Sequence, residues 1–196
     1  MSDPEITAAV AAIRRGDLVV YPTETVYGLG ANALDPEAIG RVFETKGRSH
    51  EKPLSMAVPE LAAAADYTEM TALERQFCAR FLPGPVTVLV ERTDRVPDEL
   101  VAGRERVGIR IPDCDIARDL ARRTGPITAT SANRSGTPSA RRIEDIDPNI
   151  REQAVVIDGG ETPGTESTVV NVSESRIVRR GARADEIEAW LADRSE

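Results

Sequence analysis

Lysine is almost absent from this 196-residue chain: Lys46 and Lys52 stand alone against 23 arginines. Arginine is a rigid fork of donors, whereas lysine is a compact, strongly hydrated point charge. A sequence that uses arginine everywhere else but keeps both lysines in one short stretch needs the ammonium there. Histidine is rarer still, with His50 alone in the same stretch. One imidazole builds neither a metal cluster nor a serine or cysteine triad with a choice of base, so histidine-driven catalysis is not expected. Cysteine is limited to Cys78 and Cys114, which lack metal-type spacing and read as small apolar residues in a reducing cytoplasm. Aromatic residues make up only 4% of the chain, too few for a base-stacking surface. No apolar run approaches the roughly 18 residues of a membrane helix. The acidic start, Met1-Ser2-Asp3-Pro4-Glu5, has no signal-peptide core. A Walker A loop is missing too, which excludes a P-loop nucleotidase.

What is present suits a soluble globular protein. Hydrophobic residues are 40% and charged residues 30% of the chain, and its length supports one buried core. A net charge of −8 opposes non-specific binding to nucleic-acid phosphates. It leaves room for a small anionic ligand, because a pocket can be locally positive on a negative protein.

Strand and helix signals alternate. Asp3-Pro4-Glu5 opens a helix reaching about Arg15, and a strand follows over 18–21. Asp35-Pro36-Glu37 gives an N-cap and a first-turn proline to a helix that presents Ile39, Val42 and Phe43 and stops at Lys46-Gly47. A strand over 54–58 precedes two helices, 59–65 and 71–82, the second broken by Pro83-Gly84-Pro85. Strands are expected over 86–90, 107–111, 127–130, 154–157, 168–172 and 176–179, with helices over 115–123 and 185–192. Several connections are too short for a crossover helix. The expectation is one α/β domain over 1–196 whose twisted sheet is mixed and flanked by helices.

Four segments can carry chemistry. Tyr21-Pro22-Thr23-Glu24-Thr25-Val26-Tyr27-Gly28-Leu29-Gly30 lacks the third glycine of a dinucleotide fingerprint and also reads as a hydroxyl-rich turn. Lys46-x-Arg48-x-x-x-Lys52 crowds three cations that repel unless an anion is shared, although Lys46-Gly47 alone is an ordinary helix stop. Thr130-Ser131-Ala132-Asn133 follows a buried strand, where α/β sheets place ligand donors, or simply makes an Asx turn. Gly159-Gly160 through Gly164-Thr165-Glu166-Ser167 is a glycine-rich loop able to offer backbone N–H groups to an anion, or to turn a corner. Arg110, inside Val107-Gly108-Ile109-Arg110-Ile111, needs a partner or a ligand, because a charge in an apolar strand is costly alone. Together these point to positioning and electrostatic stabilisation of an anion, as phosphoryl-type chemistry requires.

Seven motifs occur in one order: Tyr-Pro-Thr-Glu-Thr-Val-Tyr-Gly-Leu-Gly, Lys-Gly-Arg, Lys-Pro-Leu-Ser, Pro-Gly-Pro-Val-Thr, Gly-Ile-Arg-Ile-Pro, Thr-Ser-Ala-Asn-x-Ser-Gly and Glu-Ser-Thr-Val-Val. In these the chain, from Val19 to Gly181, resembles the YrdC-type threonylcarbamoyl-AMP synthases, in the short form without a C-terminal extension domain. The resemblance implies a concave, positively lined cavity and a reaction: L-threonine, bicarbonate or CO2 and ATP, with Mg2+ on the nucleotide, give threonylcarbamoyl-AMP and pyrophosphate. Separate threonylcarbamoyl-transferase machinery then modifies tRNA, so this chain itself makes at most weak tRNA contact and none with a membrane.

By position, the resemblance assigns Thr25, Arg110 and Ser167 to L-threonine, with Arg110 on its carboxylate. It assigns Lys46, Arg48, Lys52, Arg106, Ser131, Asn133, Ser139 and Arg179 to ATP, and makes Lys46 and Arg48 catalytic at the reacting phosphate. No metal ligands are assigned. Two positions depart from the pattern. Ala57 stands where many members have a histidine, and Arg179-Arg180-Gly181 replaces a common Arg-Pro-Gly. An RNA-binding module of the same fold is the alternative, disfavoured by the acidic balance and the few aromatics. Carbamoyl-adenylate chemistry of the hydrogenase-maturation kind belongs to much longer proteins with additional modules.

Overall fold

A computed structural model describes residues 3–194. The first helix, α1, spans Asp3–Arg14 and leads into β1, Leu18–Tyr21, whose four side chains are all buried. A short strand, β2 (Gly28–Gly30), turns back against it. This strand was not expected from sequence, because two glycines in three residues oppose strand propensity. Tertiary packing decides it. The Tyr21 ring lies so close over the strand that a Cβ on Gly28 or Gly30 would come within 2.8 Å of its carbons.

Helix α2 (Pro36–Lys46) has the predicted ends. Asp35 accepts hydrogen bonds from the Glu37 and Ala38 amides, and Gly47 closes the helix at φ 57°. Its buried face carries Ile39, Val42 and Phe43, as expected. Then come β3 (Ser55–Ala57), α3 (Leu61–Ala64), the two-residue β4 (Thr68–Glu69) and α4 (Ala72–Phe81). A capping box between Thr71 and Glu74 starts α4. Next are β5 (Val86–Arg92), α5 (Asp98–Val101), β6 (Arg106–Arg110), α6 (Asp115–Thr124) and β7 (Ile127–Ser131). A 3-10 turn at Ile143–Asp145 precedes α7 (Pro148–Gln153), β8 (Ala154–Val156), β9 (Thr168–Asn171), β10 (Arg176–Arg179) and α8 (Ala184–Ala192). Short elements β4, α5 and α7 join β2 as structure that the sequence pattern did not announce.

The sheet is mixed, in the order β10-β9-β5-β6-β3-β7-β2-β1-β8, with β4 beside β5. Parallel pairs β3–β6, β5–β9 and β1–β8 sit among antiparallel ones. Strand alternation divides the labour within each strand. Val86, Val88 and Val90 of β5, Val107 and Ile109 of β6, and Val170 of β9 point into the main core. Their neighbours Thr87, Leu89, Arg106, Gly108, Arg110, Val169 and Asn171 face a cavity instead. A second core, between α1 and α6, holds Ala9, Ile13, Ala117, Leu120, Ile127 and Ala57. No helix among the described residues is long and apolar enough to cross a membrane.

Candidate active site

The cavity has a volume of about 560 Å³ and draws on all four sequence segments. The first supplies Tyr21, Thr23, Thr25 and Gly28; the second, Arg48; the third, Ala129, Thr130 and Ser131; the fourth, Glu166 and Ser167. Six arginines (48, 104, 106, 110, 176 and 179) line it against three glutamates (105, 166 and 174), so the pocket is positive on a protein of net charge −8. Gly108 keeps the floor open: a Cβ there would lie 2.7 Å from Ser55 Oγ and 2.9 Å from Thr87 Cγ2.

At one end Arg110 Nη2 donates to Glu24 Oε1 at 2.7 Å and to Thr25 Oγ1 at 3.3 Å. Arg110 thus has the partner that its apolar strand demanded, and Glu24 is a residue the sequence reading did not single out. Thr25 is fixed in turn by Thr23, whose Oγ1 lies 2.8 Å from Thr25 Oγ1 and donates to the Val26 carbonyl at 2.6 Å. Ser167 closes this side, with Oγ 3.3 Å from Thr87 Oγ1.

Arg179 links the two ends. Its Nη2 donates to Ser167 Oγ at 3.0 Å and to the Ser167 carbonyl at 2.9 Å, while Nη1 pairs with Glu166 Oε2 at 3.2 Å. Glu166 Oε1 accepts from Ser139 Oγ at 2.8 Å. Arg180 turns the other way, onto Asp185 and Glu188 of α8. Of the two adjacent arginines, Arg179 is the one that faces the cavity. Arg48 is braced by the Lys52 and Pro53 carbonyls, each at 3.0 Å. Burial, and then the nearby Arg179 charge, lower its pKa.

Lys46 differs from expectation. It lies beneath the site, 2% exposed, rather than on the cavity wall. Its ammonium donates to the Asn133 carbonyl at 2.6 Å and to the Ser131 carbonyl, clamping the turn after β7. Desolvation, then repulsion from Arg48, pulls its pKa down to about 8. Asn133 is likewise inside that turn: it accepts from Ser131 Oγ and donates to the Arg134 and Thr137 carbonyls at 2.9 and 2.6 Å. Ser131 itself reaches the cavity.

Other assigned residues lie off the cavity wall or are already engaged. Lys52 is exposed outside the lining, since its backbone carbonyl, not its side chain, is the part that holds Arg48. Ser139 stands behind Glu166. Arg106 lines the far end but is tied to the buried Glu74 at 3.3 Å. Burial works to raise the Glu74 pKa, yet hydrogen bonds from Ser173, Thr71 and Arg106 hold it below the usual value. Ala57 is wholly buried in the second core and does not line the cavity.

The glycine-rich loop is a packing device more than an anion nest. The Gly159 amide donates to the Tyr27 hydroxyl at 3.0 Å, and Gly164, at φ 92°, donates to the Thr25 carbonyl at 2.7 Å. Its offering to the cavity is the Glu166 and Ser167 side chains. His50 stacks on Phe43 with centroids 4.5 Å apart, also outside the lining.

Comparison with known proteins agrees with this architecture. The Sua5_yciO_yrdC family, described as telomere recombination, matches residues 11–181. A Bacillus subtilis threonylcarbamoyl-AMP synthase is 39% identical over 181 residues, covering 88% of this chain and 51% of that protein. The chain therefore spans about half the length of that relative. A Pseudomonas syringae threonylcarbamoyl-AMP synthase is 32% identical over 92% of this chain and 100% of its own length. The crystal structure of Pyrococcus abyssi Sua5 complexed with L-threonine superposes with a TM-score of 0.86 at 35% identity, covering 95% of this chain and 58% of that one. By motif order, sheet architecture and identity alike, the chain belongs to the Sua5–YciO–YrdC family.

Proposed function

We propose that this chain synthesises threonylcarbamoyl-AMP from L-threonine, bicarbonate or CO2 and ATP, releasing pyrophosphate. The observation that carries the reading is the shared cavity. Arg110, in its apolar strand, opens onto the same space as Arg48, Ser131 and Arg179, so one cavity can hold an amino-acid carboxylate at one end and phosphates at the other. Relatives named threonylcarbamoyl-AMP synthase, and one solved with L-threonine, support the same substrates.

The chemistry needs no protein nucleophile. Threonine's amine adds to CO2, losing a proton to become a carbamate. A carbamate oxygen then attacks the α-phosphorus, and the bond to pyrophosphate breaks. Arg110, with Thr25 and Ser167 beside it, anchors threonine through a bidentate-capable guanidinium. Arg48 and Arg179 neutralise the charge that develops on the phosphates, and Ser131 offers a hydroxyl. Lys46 and Asn133 act by fixing the turn that carries Ser131. The aligned reactants then gain mainly from proximity. Mg2+ would travel with the triphosphate, held by phosphate oxygens and water as that ion usually is.

The product is an activated acyl-adenylate, and its transfer to tRNA falls to other proteins. We assign the reaction to the cytoplasm, where ATP and free thiols such as Cys78 and Cys114 coexist. Pyrophosphate release measured with threonine, bicarbonate and Mg-ATP each omitted in turn tests the proposal. Release should require all three. Undiminished release without threonine would overturn it.

A further inference from the structure

Glu74 divides its two carboxylate oxygens between different parts of the fold. It lies in the first turn of α4 and is 1% exposed, and a charge so buried must be satisfied by hydrogen bonds. One oxygen, Oε2, completes the capping box by accepting from the Thr71 amide at 2.8 Å and the Thr71 hydroxyl at 3.0 Å. That oxygen alone is enough for the helix. The other, Oε1, reaches away from α4. It accepts from Ser173 Oγ, in the turn between β9 and β10, at 2.5 Å and from Arg106 Nη1 at 3.3 Å. Nη1 also lies 3.4 Å from Ser173 Oγ and from the Leu89 carbonyl. Among the described residues, the Arg106 guanidinium meets the protein through Nη1 alone. Its Nε and Nη2, the side-on edge that pairs bidentately with anions, are left to the cavity that Arg106 lines.

The position of Arg106 along β6 says what that edge meets. Arg106, Gly108 and Arg110 all line the cavity, so the two arginines stand two alternations, about 13 Å, apart on one face of the strand. Threonine held at Arg110 cannot span that distance, and bicarbonate is smaller still. ATP is the one substrate long enough to reach Arg106. We infer that Glu74 and Ser173 are positioning residues for the nucleotide, holding Arg106 by one corner so that its free edge meets ATP in a fixed orientation. A long side chain otherwise gives up its rotamer freedom on meeting a ligand, and a latch built into the fold removes that cost beforehand. Neither Glu74 nor Ser173 lines the cavity, so both act through Arg106. This rests on the function proposed above, with threonine at Arg110, and extends it by tying ATP affinity to the first turn of α4 and the β9–β10 turn.

The test is a cycle of variants of the full chain, read by pyrophosphate-release kinetics: Glu74→Gln, Arg106→Ala and the two combined. Glu74→Gln keeps the side-chain volume and removes the charge. In Arg106→Ala the carboxylate retains Thr71 and Ser173, so the fold should survive. Residues in one hydrogen-bonded network couple strongly, and loosening Arg106 without deleting it should raise the KM for ATP about tenfold. The KM for threonine and kcat should stay within about twofold of their starting values, because the threonine end lies well away along the strand. In the Arg106→Ala background, Glu74→Gln should add nothing. The same rise in both backgrounds, or equal rises for ATP and threonine, would mean that Glu74 serves only the helix, and would overturn the inference. So would an unchanged KM for ATP. If Glu74→Gln does not fold, Ser173→Ala withdraws a partner of the same oxygen from an exposed turn. It should raise the KM for ATP by a smaller factor, and only while Arg106 is present; no rise, or one that persists without Arg106, again refutes the assignment. Failure of the unmodified chain to release pyrophosphate with all three substrates present would instead remove the proposed function, and this inference with it.

Discussion

Replacing Lys46 with methionine separates two effects that a buried ammonium combines. The structure sets a cost against a gain. Desolvation, with help from Arg48, brings the Lys46 pKa from 10.5 to about 8, and at about 1.4 kcal/mol per pH unit this costs the folded state about 3 kcal/mol below pH 8. Against it stand two charge-assisted hydrogen bonds, to the Ser131 and Asn133 carbonyls, each worth about 1.5–3 kcal/mol. Removing the ammonium abolishes both, so Lys46→Met should change stability at pH 7 by no more than about 3 kcal/mol. Activity is another matter. The turn carrying Ser131 loses its clamp and the site loses a charge, and turnover should fall about a hundredfold or more.

The pH dependence carries the sharper test. Between pH 8 and 10.5 the unfolded chain holds the Lys46 proton more tightly than the folded one, so stability from this group rises with pH across that window. Cys78 acts the opposite way, since burial pushes its thiol from 9.0 up to about 12 and stability falls as the unfolded thiol ionises. Urea unfolding of both proteins from pH 7 to 10.5 cancels the Cys78 contribution in the difference. The stability difference, unmodified minus variant, should climb by about 3 kcal/mol over the range. A flat difference, or a variant with near-normal turnover, would refute the reasoning.

Three other outcomes are expected. Arg179→Ala should raise the ATP requirement at least tenfold, whereas Arg180→Ala, which loses only its contacts to Asp185 and Glu188, should leave pyrophosphate-release kinetics unchanged. Gly30→Ala should shift the urea midpoint down by about 1–3 kcal/mol of stability, because its Cβ would fall 2.8 Å from the Tyr21 ring; an unchanged midpoint would show that the ring has room to move. An amine-reactive reagent, followed by peptide mapping, should modify the exposed Lys52 quickly and the buried Lys46 slowly even without nucleotide, and equal rates would contradict the burial of Lys46.

What could be read from the sequence divides along a physical line. Elements with local signals, such as α2 between Asp35 and Gly47 or α4 ahead of Pro83-Gly84-Pro85, were legible because their ends are encoded within a few residues. Strand β2 was not, because Gly-Leu-Gly has no periodicity of its own and becomes a strand only between β1 and β7, under the Tyr21 ring. Arg110 announced itself as a charge in an apolar strand, and the structure supplied Glu24. Nothing local marked that glutamate, since it lies 86 positions away in the chain. Both lysines were conspicuous by rarity, but rarity does not say which way a side chain points. Lys46 ends a helix under the 131–135 turn and Lys52 stands in solvent, a difference made by tertiary packing alone.

The sheet order also bears on when the site comes into being. Strand β9 lies parallel to β5 with Thr168 beside Val86, so the wall bearing Ser167 and Arg179 joins a sheet whose neighbouring strands come from much earlier in the chain. A ribosome reads from the amino end, and segments can fold as they emerge. Strands β1 to β7 and their core precede the last wall, whereas Ser167 and Arg179 cannot take their places until a long loop has closed. A nascent chain would therefore hold Arg48 and Arg110 in an open half-cavity, able to attract anions but not to enclose them. Enclosure of the cavity waits on β9 and β10, after β1 to β8 have already emerged.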